Sequence, residues 1–263
     1  MDKNDYSRLT DCLRKMKVAA VAFSGGADST LLLAASRDAL GDRAMAFTVV
    51  TPYMERQEIA DALTLAGELH VRHELVEMDL PEAMNSNPHD RCYICKRALF
   101  GKILERARDA GFPRVLDGSN LDDLNDYRPG LRALRELGIE SPLLECRMTK
   151  ADVRRISAER GLSTSDKPTN ACLLTRLPMG TRISMADLQR VEEAELLLKS
   201  RGYRWVRVRM HGRLARIEVD QSQRGRLIED AGLIIQSLEA LGFRYVTLDL
   251  CGYRLGSMNP EPD

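Results

Sequence analysis

Ser24-Gly25-Gly26-Ala27-Asp28-Ser29-Thr30 brings two glycines, three hydroxyls and one carboxylate into seven residues. Glycines let a backbone turn tightly enough to aim its N–H groups at an anion, and a helix starting there adds its positive end. The hydroxyls of Ser24, Ser29 and Thr30 can donate to phosphate oxygens. No Lys-Ser/Thr pair follows, so the loop is not one that holds a triphosphate for γ-transfer. A second group is Cys92-Tyr93-Ile94-Cys95, placed by the pattern just before a helix, where Arg91, Lys96 and the helix N-terminus favour thiolate. Alone, such a pair is half a zinc site, half a cluster site or a redox pair. Cys172 stands in a stretch rich in Pro, Asn, Thr and Gly, which reads as a loop able to reach a site. Cys12 and Cys251 read as packing residues, and Cys146 has no assignment.

Charge supplies the remaining chemistry. Residues 201–216 hold six arginines, one histidine and no acid. In a strand, Arg207, Arg209 and His211 share one face, and Arg216, Glu218 and Asp220 share a face of the next run. Such arginines are either a solvated face or a bidentate phosphate clamp. Asp122, Asp123 and Asp126, after Gly118-Ser119-Asn120, suit magnesium as hard oxygen ligands, or merely an acid-rich helix start. Glu195 sits mid-helix, where a surface position is an equally good reading.

The elements that position these residues follow from periodicity. Val18–Phe23 is a continuous apolar run, as in a strand buried on both faces, and it leads through the glycine loop into a helix. Strands at 44–50, 73–78 and 114–117 alternate with helices at 55–69 and around 98–110, and a helix at 150–160 closes the pattern. Strand–helix alternation of this kind specifies a doubly wound parallel α/β sheet with its site at the carboxyl ends of the strands. Beyond Pro168 come a helix at 184–201, a hairpin signal through Gly212-Arg213, a helix at 225–241 and a strand at 245–250. The expected organisation is an α/β domain over 1–170 and a smaller α+β domain over 171–263.

Composition narrows the function classes. The 263 residues carry 39 basic and 39 acidic side chains, which argues against coating nucleic acid or an anionic membrane by bulk charge. No apolar run reaches the ~20 residues of a membrane span, and the N-terminus lacks a signal-peptide core, so a cytoplasmic protein is expected. Six cysteines are too few for a disulfide scaffold of this size.

The loop SGGADS resembles the pyrophosphate loop of the PP-loop ATPases, adenine nucleotide α-hydrolase-like proteins that split ATP between its α- and β-phosphates. The resemblance implies ATP and Mg2+ at Ser24, Gly25, Gly26, Asp28, Ser29 and Thr30. Together with NPHDRCYICKRALF, DGSNLDDLNDYRPG, KPTNACLLTRLPMG, VRVRMHGRLARIEVD and GYRLGSMN, the chain resembles the LarE family over nearly its whole length. Members are ATP-dependent sulfur transferases in the biosynthesis of the nickel-pincer nucleotide cofactor. They turn the carboxylates of a pyridinium mononucleotide into thiocarboxylates through an acyl-adenylate.

What the resemblance implies at single residues is this. Asp28, Glu195 and Cys172 are catalytic, and Asn120, Asp122 and Asp123 are nucleotide or magnesium residues. Arg207, Arg209 and Glu218 hold the substrate phosphate. One branch of the family gives up sulfur from its own cysteine, matching Cys172. The other holds a 4Fe-4S cluster by three cysteines, and the presence of Cys92, Cys95 and Cys172 together favours that branch, with an external sulfide donor. A homo-oligomer without membrane or nucleic-acid partners completes the expectation. The alternatives are a PP-loop tRNA thiolase, which would want an extended basic surface, and a non-enzymatic adenine-nucleotide sensor, which gives no reason for three cysteines.

Overall fold

The structure, a computed structural model, describes residues 4–125, 129–167 and 171–254. The expected Asp126, and parts of the motifs around 126–128, 168–170 and 255–259, lie outside the described residues. The chain divides into two compact units: Met1–Pro81 with Asp90–Asn170, and Glu82–His89 with Ala171–Asp263.

The first unit is an α/β sandwich around a four-stranded, wholly parallel sheet. Its strands are β1 (Ala19–Ala22), β2 (Ala44–Val50), β3 (Arg72–Glu77) and β4 (Val115–Leu116), in the order β3-β2-β1-β4. The helices are α1 (Asn4–Met16), α2 (Ala27–Leu40), α3 (Arg56–Glu68), α4 (Arg91–Asp109), α5 (Pro129–Glu136), α6 (Pro142–Glu145) and α7 (Lys150–Glu159). Alternation along β1 feeds two cores. Ala19 and Val21 join Leu9, Leu13, Leu32, Val153 and Ile156 on one face, while Ala20 joins Phe47, Phe100, Ile103 and Leu134 on the other. This explains why the strand reads as an unbroken apolar run: both faces are covered. The chain runs β1-β2-β3 to one side and then returns to β4 on the other side of β1. The carboxyl ends of β1 and β4 therefore flank the crevice where an open parallel sheet binds its ligands.

The second unit carries α8 (Met185–Ser200), β5 (Val206–His211), β6 (Leu214–Val219), α9 (Arg224–Glu229), α10 (Ala231–Ala240) and β7 (Tyr245–Leu248). β5 and β6 form the expected hairpin, closed by Gly212 at φ 62°, and β7 adds parallel to β6. The single helix expected over 225–241 is two helices. Asp230 separates them: it accepts the Tyr203 hydroxyl at 2.7 Å through its side chain while its carbonyl opens α10.

Residues 82–89, which the pattern assigns to the α/β half, pack with the second unit. Asn87 is fully buried at φ 48°, and its amide nitrogen donates to the carbonyls of Leu174, Leu177 and Pro178 at 3.3, 3.1 and 2.9 Å. A buried amide with several carbonyl acceptors fixes a crossing segment more firmly than its apolar content would.

Candidate functional site

Within the first unit, the glycine loop lies where the fold requires it. Gly25 takes φ +67°, and a Cβ there would lie 3.3 Å from the Ala62 backbone in α3, so both space and conformation call for glycine. Gly26 leads into α2. The hydroxyls of Ser24 and Ser29 meet at 3.1 Å, folding the loop back on the first helical turn. Gly118, just after β4, approaches so closely that a Cβ would lie 3.0 Å from the Ser29 amide. Thr30, expected to offer its hydroxyl to phosphate, is instead fully buried in α2. One helical step past Ser29 turns its side chain into the core.

Asp28 is the hub. The Asn120 amide donates to its Oδ1 at 3.1 Å, and the Lys150 ammonium contacts its Oδ2. Asp123 accepts the Asn120 amide N–H at 3.0 Å and Asp122 accepts the Lys150 amide N–H at 2.8 Å. The acid-rich segment after β4 therefore ties itself and α7 to the glycine loop, as well as offering oxygens for a cation. A cavity of about 380 Å³ opens beside it, lined by Ser24, Asp28, Thr48, Lys96, Phe100 and Asp117 among others. Its polar end is the loop, and its apolar end is built from β2 and α4. That combination suits a nucleotide, with phosphate at one end and a flat base at the other.

Cys92 and Cys95 are not before α4 but within its first turns, because the Asp90 carbonyl already accepts the amides of Tyr93 and Ile94. Cys92 is exposed, while Cys95 is partly buried with its thiol 3.3 Å from the Tyr53 hydroxyl. Burial pushes the Cys95 thiol up, outweighing the Tyr53 hydrogen bond and Lys96, so the expected thiolate bias fails at this position. One helical turn apart, the two sulfurs are soft donors suited to iron or zinc. Among the described residues of either unit, no group of three His, Cys, Asp or Glu gathers to hold a metal by itself.

In the second unit, the arginine hairpin does not present the solvated face that its sequence allows. Arg207 and Arg209 are each only 5% exposed, and β5 is buried on both faces. Glu195, for which a surface position is an equal reading of the sequence, is 1% exposed in α8. It takes a two-point ion pair from Arg176, Nε to Oε1 at 2.9 Å and Nη2 to Oε2 at 3.0 Å. The Val208 amide donates to it at 3.0 Å, and Arg207 lies at 3.7 Å. Burial alone would raise its carboxyl; the Arg176 charge and hydrogen bonds override that and hold it below the usual carboxylate range. Glu218 likewise serves Arg209 at 2.9 Å and Arg216 at 3.3 Å. Four guanidiniums thus converge on two glutamates.

Cys172 opens the short turn Leu173–Arg176. Its carbonyl accepts from Thr175 Oγ1 at 2.8 Å and Arg176 Nη1 at 3.1 Å, and the Arg209 guanidinium holds the Thr175 carbonyl at 3.0 Å. The cysteine, Glu195 and the arginine pair are therefore one network. Cys251, expected as a buried packing residue, is exposed, whereas Cys12 and Cys146 both pack against the α1 side of the core.

Sequence reasoning missed Lys150 and Arg176. Lys150 left a signal: it is a cation in the first turn of a helix whose capping box is Thr149 and Asp152, where the dipole disfavours positive charge. Arg176 left none, because an arginine four residues past a cysteine in a loop is unremarkable.

No family model matches the chain. Three curated relatives do, over nearly their whole lengths. An uncharacterized protein of Synechocystis sp. is 43% identical over 245 residues, 92% of this chain and 91% of the relative. The pyridinium-3,5-bisthiocarboxylic acid mononucleotide synthase of Lactiplantibacillus plantarum is 37% identical over 254 residues, 95% and 92% of the two chains. An uncharacterized protein of Methanocaldococcus jannaschii is 32% identical over 240 residues, 91% and 92%.

Proposed function

The chain belongs to the LarE family of pyridinium-3,5-bisthiocarboxylic acid mononucleotide synthases, and on that footing we propose that it is an ATP-dependent sulfur transferase acting on a pyridinium dicarboxylate mononucleotide. The observation that carries this reading is the Ser24–Ser29 loop at the carboxyl ends of β1 and β4, opening onto a cavity of nucleotide proportions.

A carboxylate is a poor electrophile because its leaving group would be oxide. Attack of a substrate carboxylate oxygen on the α-phosphorus of ATP breaks the bond to the β-phosphate and releases pyrophosphate. The resulting acyl-adenylate then accepts a sulfur nucleophile at its carbonyl carbon, and the bond to AMP breaks. Gly25, Gly26 and Ser29 would receive the departing pyrophosphate, and Lys150 would add a charge beside Asp28. Mg2+ would be held by Asp28, with Asn120, Asp122 and Asp123 as further oxygen donors, and would neutralise phosphate charge. Arg207 and Arg209 would bind the substrate phosphate once their buried contacts with Glu195, Glu218 and the Thr175 carbonyl open to admit it.

Cys92, Cys95 and Cys172 would be the thiolate donors to a 4Fe-4S cluster, which would supply renewable sulfide. With soft donors at all three positions, the cluster is favoured over sacrifice of Cys172. The test is pyrophosphate release from ATP on addition of the dicarboxylated pyridinium mononucleotide, with iron and sulfide measured on anaerobically purified protein. ATP bound but never split between α and β would overturn the enzymatic reading. Iron-free protein that transfers one sulfur, with Cys172 left lighter by the mass of hydrogen sulfide, would replace the cluster by the sacrificial route.

A further inference from the structure

Lys167 plays no part in the chemistry above, yet its ammonium reaches the phosphate loop. Nζ donates to the Gly25 carbonyl at 3.0 Å and to Asp61 Oδ2 at 2.7 Å. Asp61 is itself steadied by Gln57, whose amide donates to Oδ1 at 2.8 Å one turn earlier in α3. The side chains of Lys167 and Asp61 are 19% and 33% exposed, so the contact is partly shielded from water.

The carbonyl it holds belongs to the Gly25–Gly26 peptide. No peptide bond among the described residues is cis, so the N–H of Gly26 points away from the oxygen that Lys167 grips. Fixing the oxygen therefore fixes the direction of the N–H. Among the described residues that N–H makes only a long, 3.4 Å contact to Ser24 Oγ, and the carbonyl of Gly26 is already engaged by the Thr30 amide at 2.9 Å. A peptide between two glycines has no Cβ on either side and turns over at less steric cost than one between substituted residues. A cation on the carbonyl also polarises the peptide and makes its N–H a stronger donor to an anion.

We propose that Lys167, braced by Asp61, is a positioning residue for the nucleotide's phosphates: it presets the Gly25–Gly26 peptide so that the Gly26 N–H faces the pyrophosphate. The assignment rests on the nucleotide-binding reading of this loop. It deepens that reading by placing part of the ATP affinity in a residue outside the loop.

The experiment measures ATP affinity by calorimetry and ATP KM and kcat by pyrophosphate release, for wild type, K167A, K167R and D61N. Losing a charge-assisted hydrogen bond predicts about a tenfold weaker ATP affinity and a matching KM rise in K167A. K167R restores most of it, D61N falls between, and kcat and the KM for the pyridinium nucleotide stay near wild type. If wild type binds ATP and K167A binds it within about twofold, or loses only thermal stability, Lys167 is structural and the inference is overturned. If wild type binds no ATP at all, the nucleotide reading fails and the inference falls with it. If ATP binds and responds to K167A but no sulfur is transferred, the positioning role stands and only the proposed reaction is lost.

Discussion

Arg176 and Glu195 form a two-point ion pair in the interior of the second unit, with side chains 0% and 2% exposed. The pair joins α8 to the turn that begins at Cys172, and through the Val208 amide it fixes β5 beside both. Removing one partner leaves the other buried without its main counter-charge, which costs about 3–5 kcal/mol. R176M and E195Q should each shift chemical denaturation by that order. The single tryptophan, Trp205, lies in the same unit, and its fluorescence is the readout. The double replacement R176M/E195L should recover part of the loss. A single variant within about 1 kcal/mol of wild type would show that the pair is not buried as described.

Glycine is required at position 25 for two reasons, conformation and space, whereas Gly41 has φ +60° with nothing within 4 Å of an added Cβ. Both G25A and G41A place alanine at positive φ, which should cost about 1–3 kcal/mol each. Only G25A should also lose ATP binding, because its methyl must displace α3 or the loop. Equal ATP affinities in the two variants would contradict the close approach to Ala62.

His73 accepts no proton readily. Its Nε2 lies 2.8 Å from Thr48 Oγ1, and that hydroxyl donates to the Phe23 carbonyl, so the ring must donate through Nε2 and keeps Nδ1 bare and buried. Burial lowers its pKa from the ordinary 6.5. The unfolded chain therefore binds a proton that the folded chain refuses, and stability falls as pH drops below about 6.5, levelling off only below the depressed folded pKa. Thermal melts between pH 7 and 5 should fall less steeply in H73Q, which keeps a donor without a titrating ring. Identical slopes would exclude His73 as the source.

Asn87 joins residues 82–89 to the turns after Cys172. N87A should destabilise the second unit by about 2–4 kcal/mol, combining lost hydrogen bonds with alanine in a left-handed conformation. N87G should lose less, since glycine removes the conformational part. Trp205 fluorescence during denaturation separates the two, and equal losses would assign the whole effect to the amide.

The route from sequence to site was clearest where structure is local. The apolar run of β1 ending in Ser24-Gly25-Gly26 identified strand, turn and helix, because the period of burial and the need for glycine are both written within a dozen residues. The β5–β6 hairpin was legible for the same reason, and its Arg207–Glu218 and Arg209–Arg216 cross-strand pairs follow the expected faces. The alternation could not say what lay against the arginine face. Water and a bound phosphate were equally compatible with it, while α8 and the Cys172 turn cover that face with Glu195 and the Thr175 carbonyl.

The other misses have the same origin. Lys150 meets Asp28 across 122 positions, Lys167 meets Gly25 across 142, and Asn87 meets Leu177 across 90. Residue order alone determined the parallel sheet, the glycine loop, the hairpin and the cysteine spacing, because each depends on backbone geometry repeated over neighbouring residues. Tertiary structure alone decided which charges are buried together and which carbonyl each cation holds, because the energy of a polar group depends on partners that the chain brings in from far along its length.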